Sequence, residues 1–191
     1  ELGPPAFALK ARVQLLRDLG SANSPFNAFL IAQGLETLSL RVERHVSNAL
    51  KVAEYLTGHD DVISVNYAGL PTSPWYELGK KLAPKGTGAE LAFETAGGHA
   101  AGKAFGGAPS LPSHVPNIGD VRSLVIHPAS TTHAQLSPEE QLATGVTPGL
   151  VRLAVGIEGI DDIIADLEQG FAAAKPFSAT QGADPKTAAA F

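Results

Sequence analysis

The chain of 191 residues has no cysteine and no methionine. The first absence rules out disulfides, thiolate metal sites and a cysteine nucleophile. The second leaves the chain without an initiator, and the opening "ELGPPAFALKARVQLLRDLG" reads as a turn followed by a helix. The chain is therefore expected to be a portion of a longer one. No apolar run approaches the roughly 20 residues that span a bilayer, and no signal-peptide pattern opens the chain, so a cytoplasmic protein off the membrane is expected. Basic runs are missing too. With a net charge of −5 there is no electrostatic case for nucleic acid. Neither GxGxxG after a strand nor GxxxxGK[ST] occurs, which argues against a nucleotide phosphate site. No G-x-S-x-G elbow supports a serine hydrolase.

What is present is a 44% hydrophobic composition, enough for a sizeable core. Phe7, Leu9, Val13, Leu16 and Leu19 make an approximately helical stripe that Gly20 ends. Ser24 and Pro25 then start a long helical pattern through Leu35, Leu38, Val42, Val46, Ala49, Ala53 and Leu56, with Gly34 as a possible break. "DVISVNYAGL", "GAELAFETAGG", "RSLVIHPAS" and "LVRLAVGIE" read as four strands. Helical patterns lie between them, at "SPWYELGKKLAP" with Ser73 and Pro74 at its start, at "GGHAAGKAF", and at "SPEEQLATG" with a Ser137 to Glu140 capping box. A last helix carries Ile160, Ile163, Ile164, Leu167 and Phe171 on its apolar face, and Asp161, Asp162, Asp166 and Glu168 on a solvated one. The expected fold is an α/β sandwich of about four strands covered by helices and preceded by a long helix. Residues 1–58 form a helical segment, 59–175 an α/β domain and 176–191 a poorly ordered tail.

Among the histidines only His127 and His133 lie near one another, and no helical metal-ligand spacing is present; His45 falls on the apolar stripe as a packed side chain. The unusual position is Arg152, a permanently charged guanidinium inside the apolar stretch "GLVRLAVGIEG". It is either an arginine on the solvent side of a half-exposed strand or a rigid fork aimed at a carboxylate or phosphate. Spacing alone leaves both readings open.

Three longer stretches are more specific: "SPFNAFLIAQGLETLSLRVERH", "VRSLVIHPASTTHAQLSPEEQ" and "GVTPGLVRLAVGIEGIDDIIADLEQGF". Together they resemble the C-terminal region of the cysteine/methionine-metabolism enzymes that use pyridoxal phosphate, and the resemblance extends over about residues 1–178. It implies the small C-terminal domain of a fold-type I, aspartate aminotransferase-like enzyme. It further implies a γ-replacement on O-acetylhomoserine by sulfide or a thiol, or the chemistry of a cystathionine-forming or γ-lyase relative. A fragment acting only in binding or oligomerisation is the rival.

By the same resemblance Arg152 binds the α-carboxylate of the amino-acid substrate, and Asn117 and Ser123 are further substrate-binding candidates. His127 and His133 support the site, and the assembly is a homotetramer. The Schiff-base lysine and phosphate cradle of the family sit in an upstream segment that none of the lysines here matches. Pyridoxal phosphate is then held by another part of the enzyme, no catalytic residue lies in this chain, and the chain alone is expected to be inactive. Between Gly106 and Pro116, "GGAPSLPSHVP" carries two glycines and three prolines where the family has a continuous helix and strand.

Overall fold

The computed structural model describes residues 3–178. The chain divides into two compact units, Glu1–Ser39 and Leu40–Phe191. In the first, α1 (Ala6–Lys10), a π-helical stretch (Ala11–Leu16) and α2 (Arg17–Leu19) form one helical run. Gly20 ends it in the left-handed region, at φ 72°, which a side chain would resist. α3 (Pro25–Glu36) follows with the expected cap: the Ser24 hydroxyl accepts the Asn27 N–H at 3.1 Å, and Pro25 sits at the first helical position. The break before the next helix falls at Thr37 rather than at Gly34. No residue of α1, α2 or α3 is buried.

The second unit is built on a four-stranded sheet. Its strands are β1 (Val62–Asn66), β2 (Glu90–Thr95), β3 (Leu124–Ile126) and β4 (Leu150–Ala154), in spatial order β1-β2-β4-β3 with every pair antiparallel. β4 is thus hydrogen-bonded on both sides. Successive side chains of a strand point to opposite faces. Val151, Leu153, Leu91, Phe93 and Val125 point to one face, where they form a core with α4 (Leu38–Thr57), α6 (Gly98–Gly107) and α8 (Ile160–Ser178). Aromatic packing ties this core together. Phe105 of α6 meets Phe93 edge-on at 5.2 Å and Phe171 of α8 at 4.8 Å. The other face carries Glu90, Ala92, Glu94, Leu150, Arg152 and Ala154, with a small apolar group of Ala129, Val146 and Leu150 at one end.

Several local readings are refined. Ser73 accepts the Trp75 N–H and so holds a turn, and α5 (Tyr76–Leu82) begins after it. α7 (Pro138–Ala143) carries the full capping box of Ser137 and Glu140. α8 continues past Lys175 to Ser178 with Pro176 inside it, and the Ser178 hydroxyl donates to Ala96 O at 3.0 Å. Residues 176–178, expected in the irregular tail, are therefore helical; 179–191 lie outside the described residues.

Asp166 is the clearest correction. It is buried, not solvated, because the loop after α6 has amide groups with no sheet partner. Its carboxylate accepts Ser110 N–H at 3.1 Å, the Ser110 hydroxyl at 3.1 Å and Leu111 N–H at 2.8 Å. Replacing Asp166 by Ala should lower stability by about 1–2 kcal/mol, since it removes the acceptor of the Ser110 and Leu111 N–H groups. Urea unfolding measures the loss, and limited proteolysis should find a new cut between residues 108 and 122.

Candidate functional site

The site is best built from the end of β4. There the backbone leaves the sheet at Gly156 and is held by three side chains. His45 of α4 donates from Nδ1 to Val155 O at 2.6 Å. Asn48, fully buried, donates to Gly156 O at 3.0 Å and Glu158 O at 2.9 Å. Ser123 accepts the Gly156 N–H at 2.9 Å and donates its own hydroxyl proton to Glu158 Oε2 at 3.0 Å. The Ser123 N–H donates to Glu158 Oε1 at 2.7 Å. Gly156 has no room for a Cβ, which would meet the Glu158 carboxylate and the backbone of Ser123 and Arg122. The other end of β4 is fixed by Glu94 of β2, which accepts Gly149 N–H at 2.9 Å and the Thr147 hydroxyl. Burial pushes the Glu94 carboxyl up, and these two hydrogen bonds oppose the shift.

Between those clamps stands Arg152, opposite Ala92 on β2 and Ile126 on β3. Strand alternation resolves the puzzle of a charge in an apolar run: its neighbours Val151 and Leu153 enter the helix-covered core, and Arg152 points to the other face. Its side chain is 27% exposed. Nη2 donates to Asn117 O at 3.2 Å, and Nε lies 3.4 Å from Glu90 Oε2. Nη1 has no hydrogen-bond or ion-pair partner among the described residues. Burial pushes the Glu90 carboxyl up, with Arg152 acting in the opposite direction. The arrangement leaves an oriented, half-exposed guanidinium with donors to spare, which suits a carboxylate.

The expected site residues are distributed as follows. Asn117 reaches Arg152, but through its main-chain carbonyl; the residue itself is exposed. Ser123 is fully buried, and its hydroxyl is occupied by Glu158 and Gly156 rather than turned toward Arg152. His127 is buried between Ser130 and Pro148. Since Pro148 O can only accept, Nε2 carries the proton it donates there at 2.8 Å, and Nδ1 accepts from the Ser130 hydroxyl at 2.8 Å. Gly102 of α6 gives it space, as a Cβ there would lie 2.6 Å from the ring. His133 is engaged instead by Thr132, at 2.9 Å. Among the described residues no three His, Cys, Asp or Glu converge to hold a metal ion, and no helix is long and apolar enough to cross a membrane. Glu90 and Glu158 were missed from sequence. The alternation of Glu90 and Glu94 with Leu91 and Phe93 was the available signal, but cross-strand register sets both beside Arg152, and Thr147 and Gly149 take Glu94.

A pyridoxal phosphate site needs a lysine for the cofactor's aldehyde and a cradle for its phosphate. Lys80 pairs with Glu77 and lies over the Tyr76 ring. Neither the partners of Arg152 nor the cavity beside Glu90 include a lysine. Among the described residues, those around Arg152 suit a carboxylate and do not form such a cradle.

The Cys/Met metabolism PLP-dependent enzyme family matches residues 5–172, and the chain belongs to that family. It is 58% identical over 173 residues to the O-acetyl-L-homoserine sulfhydrylase of Corynebacterium glutamicum, covering 91% of this chain and 40% of that protein. Against O-acetyl-L-homoserine sulfhydrylase 1 of Thermus thermophilus it is 49% identical over 170 residues, 89% of this chain and 40% of that protein. Its structure resembles a putative O-acetylhomoserine (thiol)-lyase of Campylobacter jejuni at a TM-score of 0.81 and 41% identity, covering 90% of this chain and 41% of that one. A cystathionine gamma synthase of Xanthomonas oryzae pv. oryzae, solved with cystathionine, gives a TM-score of 0.73 at 41% identity, with 83% and 41% covered. The architecture is that of fold-type I enzymes. The chain spans about 40% of the length of these curated relatives.

His127 supplies a pH test. Burial holds its imidazole below the ordinary 6.5, with His99, Lys103 and His114 acting in the same direction and the bond to Pro148 opposing. A depressed folded-state value means full stability above about pH 6.5 and loss as pH falls below it, because the unfolded chain takes up the proton first. Unfolding midpoints measured from pH 7.5 to 5 should fall, and the fall should be shallower in His127→Asn.

Proposed function

We infer that this chain is the C-terminal part of a pyridoxal phosphate-dependent O-acetylhomoserine sulfhydrylase, which exchanges the acetate of O-acetylhomoserine for sulfide or a thiol. The observation that carries the reading is Arg152, an oriented fork on the central strand of a domain 58% identical to such an enzyme. In the complete enzyme, pyridoxal phosphate supplies the electron sink for the carbanion chemistry. The residues described here do the binding. Arg152 takes the substrate α-carboxylate bidentately, through donors its own partners leave free, and so fixes the Cα substituents relative to the reacting groups. Asn117 steers that guanidinium with its carbonyl and leaves its side-chain amide exposed on the same loop as a second substrate contact. Ser123 supports the site at one remove, through Glu158 and the end of β4. His127 keeps its proton on Nε2 and anchors Pro148, two residues before the strand that carries the arginine. The family resemblance supports a cytoplasmic homotetramer, which light scattering of the purified enzyme addresses.

In the complete enzyme, Arg152→Ala should lower kcat/KM for O-acetylhomoserine by about 30-fold to 5000-fold, the range for truncating one partner of a charge pair. KM should rise while cofactor absorbance stays unchanged. Arg152→Lys should recover little, because an ammonium lacks the bidentate geometry. Unchanged kinetics in both variants would remove Arg152 from the site.

A further inference from the structure

Arg152 stands diagonal to two carboxylates of β2, since its cross-strand partner Ala92 lies between Glu90 and Glu94. Only one of them is available to it. Thr147 and Gly149 take Glu94, whereas Glu90 places Oε2 at 3.4 Å from Arg152 Nε. Ala92 is too short to steer the guanidinium, so Glu90 and the Asn117 carbonyl are its polar restraints among the described residues. Stability does not account for Glu90. With side chains 27% and 36% exposed, the ion pair belongs to a class that contributes little. The other carboxylate oxygen, Oε1, is closed to solvent without a hydrogen-bond partner, an arrangement that works against folding. An acid kept in place against its own folding cost is accounted for by a role in the site.

A planar guanidinium offers a carboxylate two bidentate edges, Nε with Nη2 and Nη1 with Nη2. Glu90 Oε2 faces the first. A second carboxylate arriving there meets a like charge within about 4 Å, which disfavours it at least about fivefold even at the dielectric of water. The second edge stays open: Nη1 has no partner among the described residues, and Nη2 carries two protons of which Asn117 O takes one. We propose that Glu90 is a positioning residue that closes the Nε edge of Arg152, so that the substrate carboxylate is taken end-on, by Nη1 and Nη2, in a single pose. The proposal rests on Arg152 being the carboxylate anchor. With both edges open, the same carboxylate has two seats turned by about 120° within the guanidinium plane. At most one of them presents the reacting carbon correctly.

The test is stopped-flow mixing of O-acetylhomoserine with the complete enzyme, its cofactor bound, followed through the cofactor's absorbance. It gives a limiting rate and a half-saturating concentration. Glu90→Ala opens the closed edge. A non-productive pose occupies the enzyme without reacting, so both constants should fall together, each by about threefold to tenfold, with their ratio holding or rising. Glu90→Gln removes the charge but keeps an oxygen beside Nε, and should return the limiting rate to within about twofold of native. Glu90→Leu opens the same edge without leaving a void, and gives the reading should the Ala variant fold poorly. In the variant read, a limiting rate within about twofold of native, or a half-saturating concentration that rises, overturns the role of Glu90. If Arg152→Ala still raises the half-saturating concentration in that case, the anchor stands without it. If Arg152→Ala leaves both constants native, the anchor itself falls and this proposal falls with it.

Discussion

The site depends on how the chain turns at Gly156. Four backbone groups between Val155 and Glu158 are gripped by His45, Asn48 and Ser123, and the Glu158 carboxylate closes the knot by holding Ser123 in return. This is a largely buried polar network whose hydrogen bonds hold the turn, with Asn48 Oδ1 buried and unpaired among the described residues. It anchors β4 four residues after Arg152, while Glu94 anchors it before. A strand pinned at both ends and paired on both sides gives the guanidinium a fixed base. The helices α4, α6 and α8 supply the apolar counterweight on the opposite face.

Much of this was legible in the sequence. Four strands, the capping box at Ser137 and the stripes of α4 and α8 follow from periodicity and from residues with local physical roles. The weight of Arg152 was also visible, though only the family resemblance gave it a partner. What stayed hidden shares a cause. Asp166 looked like one more acid on a helix surface, and nothing local says that Ser110 and Leu111 will present their amides to it. Ser123 and Glu158 are 35 positions apart, and Glu90 meets Arg152 only because β2 and β4 pair in one particular register. Long-range polar pairing leaves no periodic trace.

The upper part of the long helical stripe makes the complementary point. Leu35, Leu38 and Val42 follow the same spacing as Ala49, Ala53 and Leu56, yet the first three are exposed and the last three fully buried. Spacing marks a face suited to burial; it does not identify what buries it.

The contact between Arg152 and residue 117 has an evolutionary consequence. Because it runs through a main-chain carbonyl, every amino acid can provide it. Substitutions at 117 can alter what the loop shows to a ligand while the guanidinium stays where it was. Selection on this contact therefore acts on the path of the loop and on the arginine, leaving the side chain at 117 free to diverge.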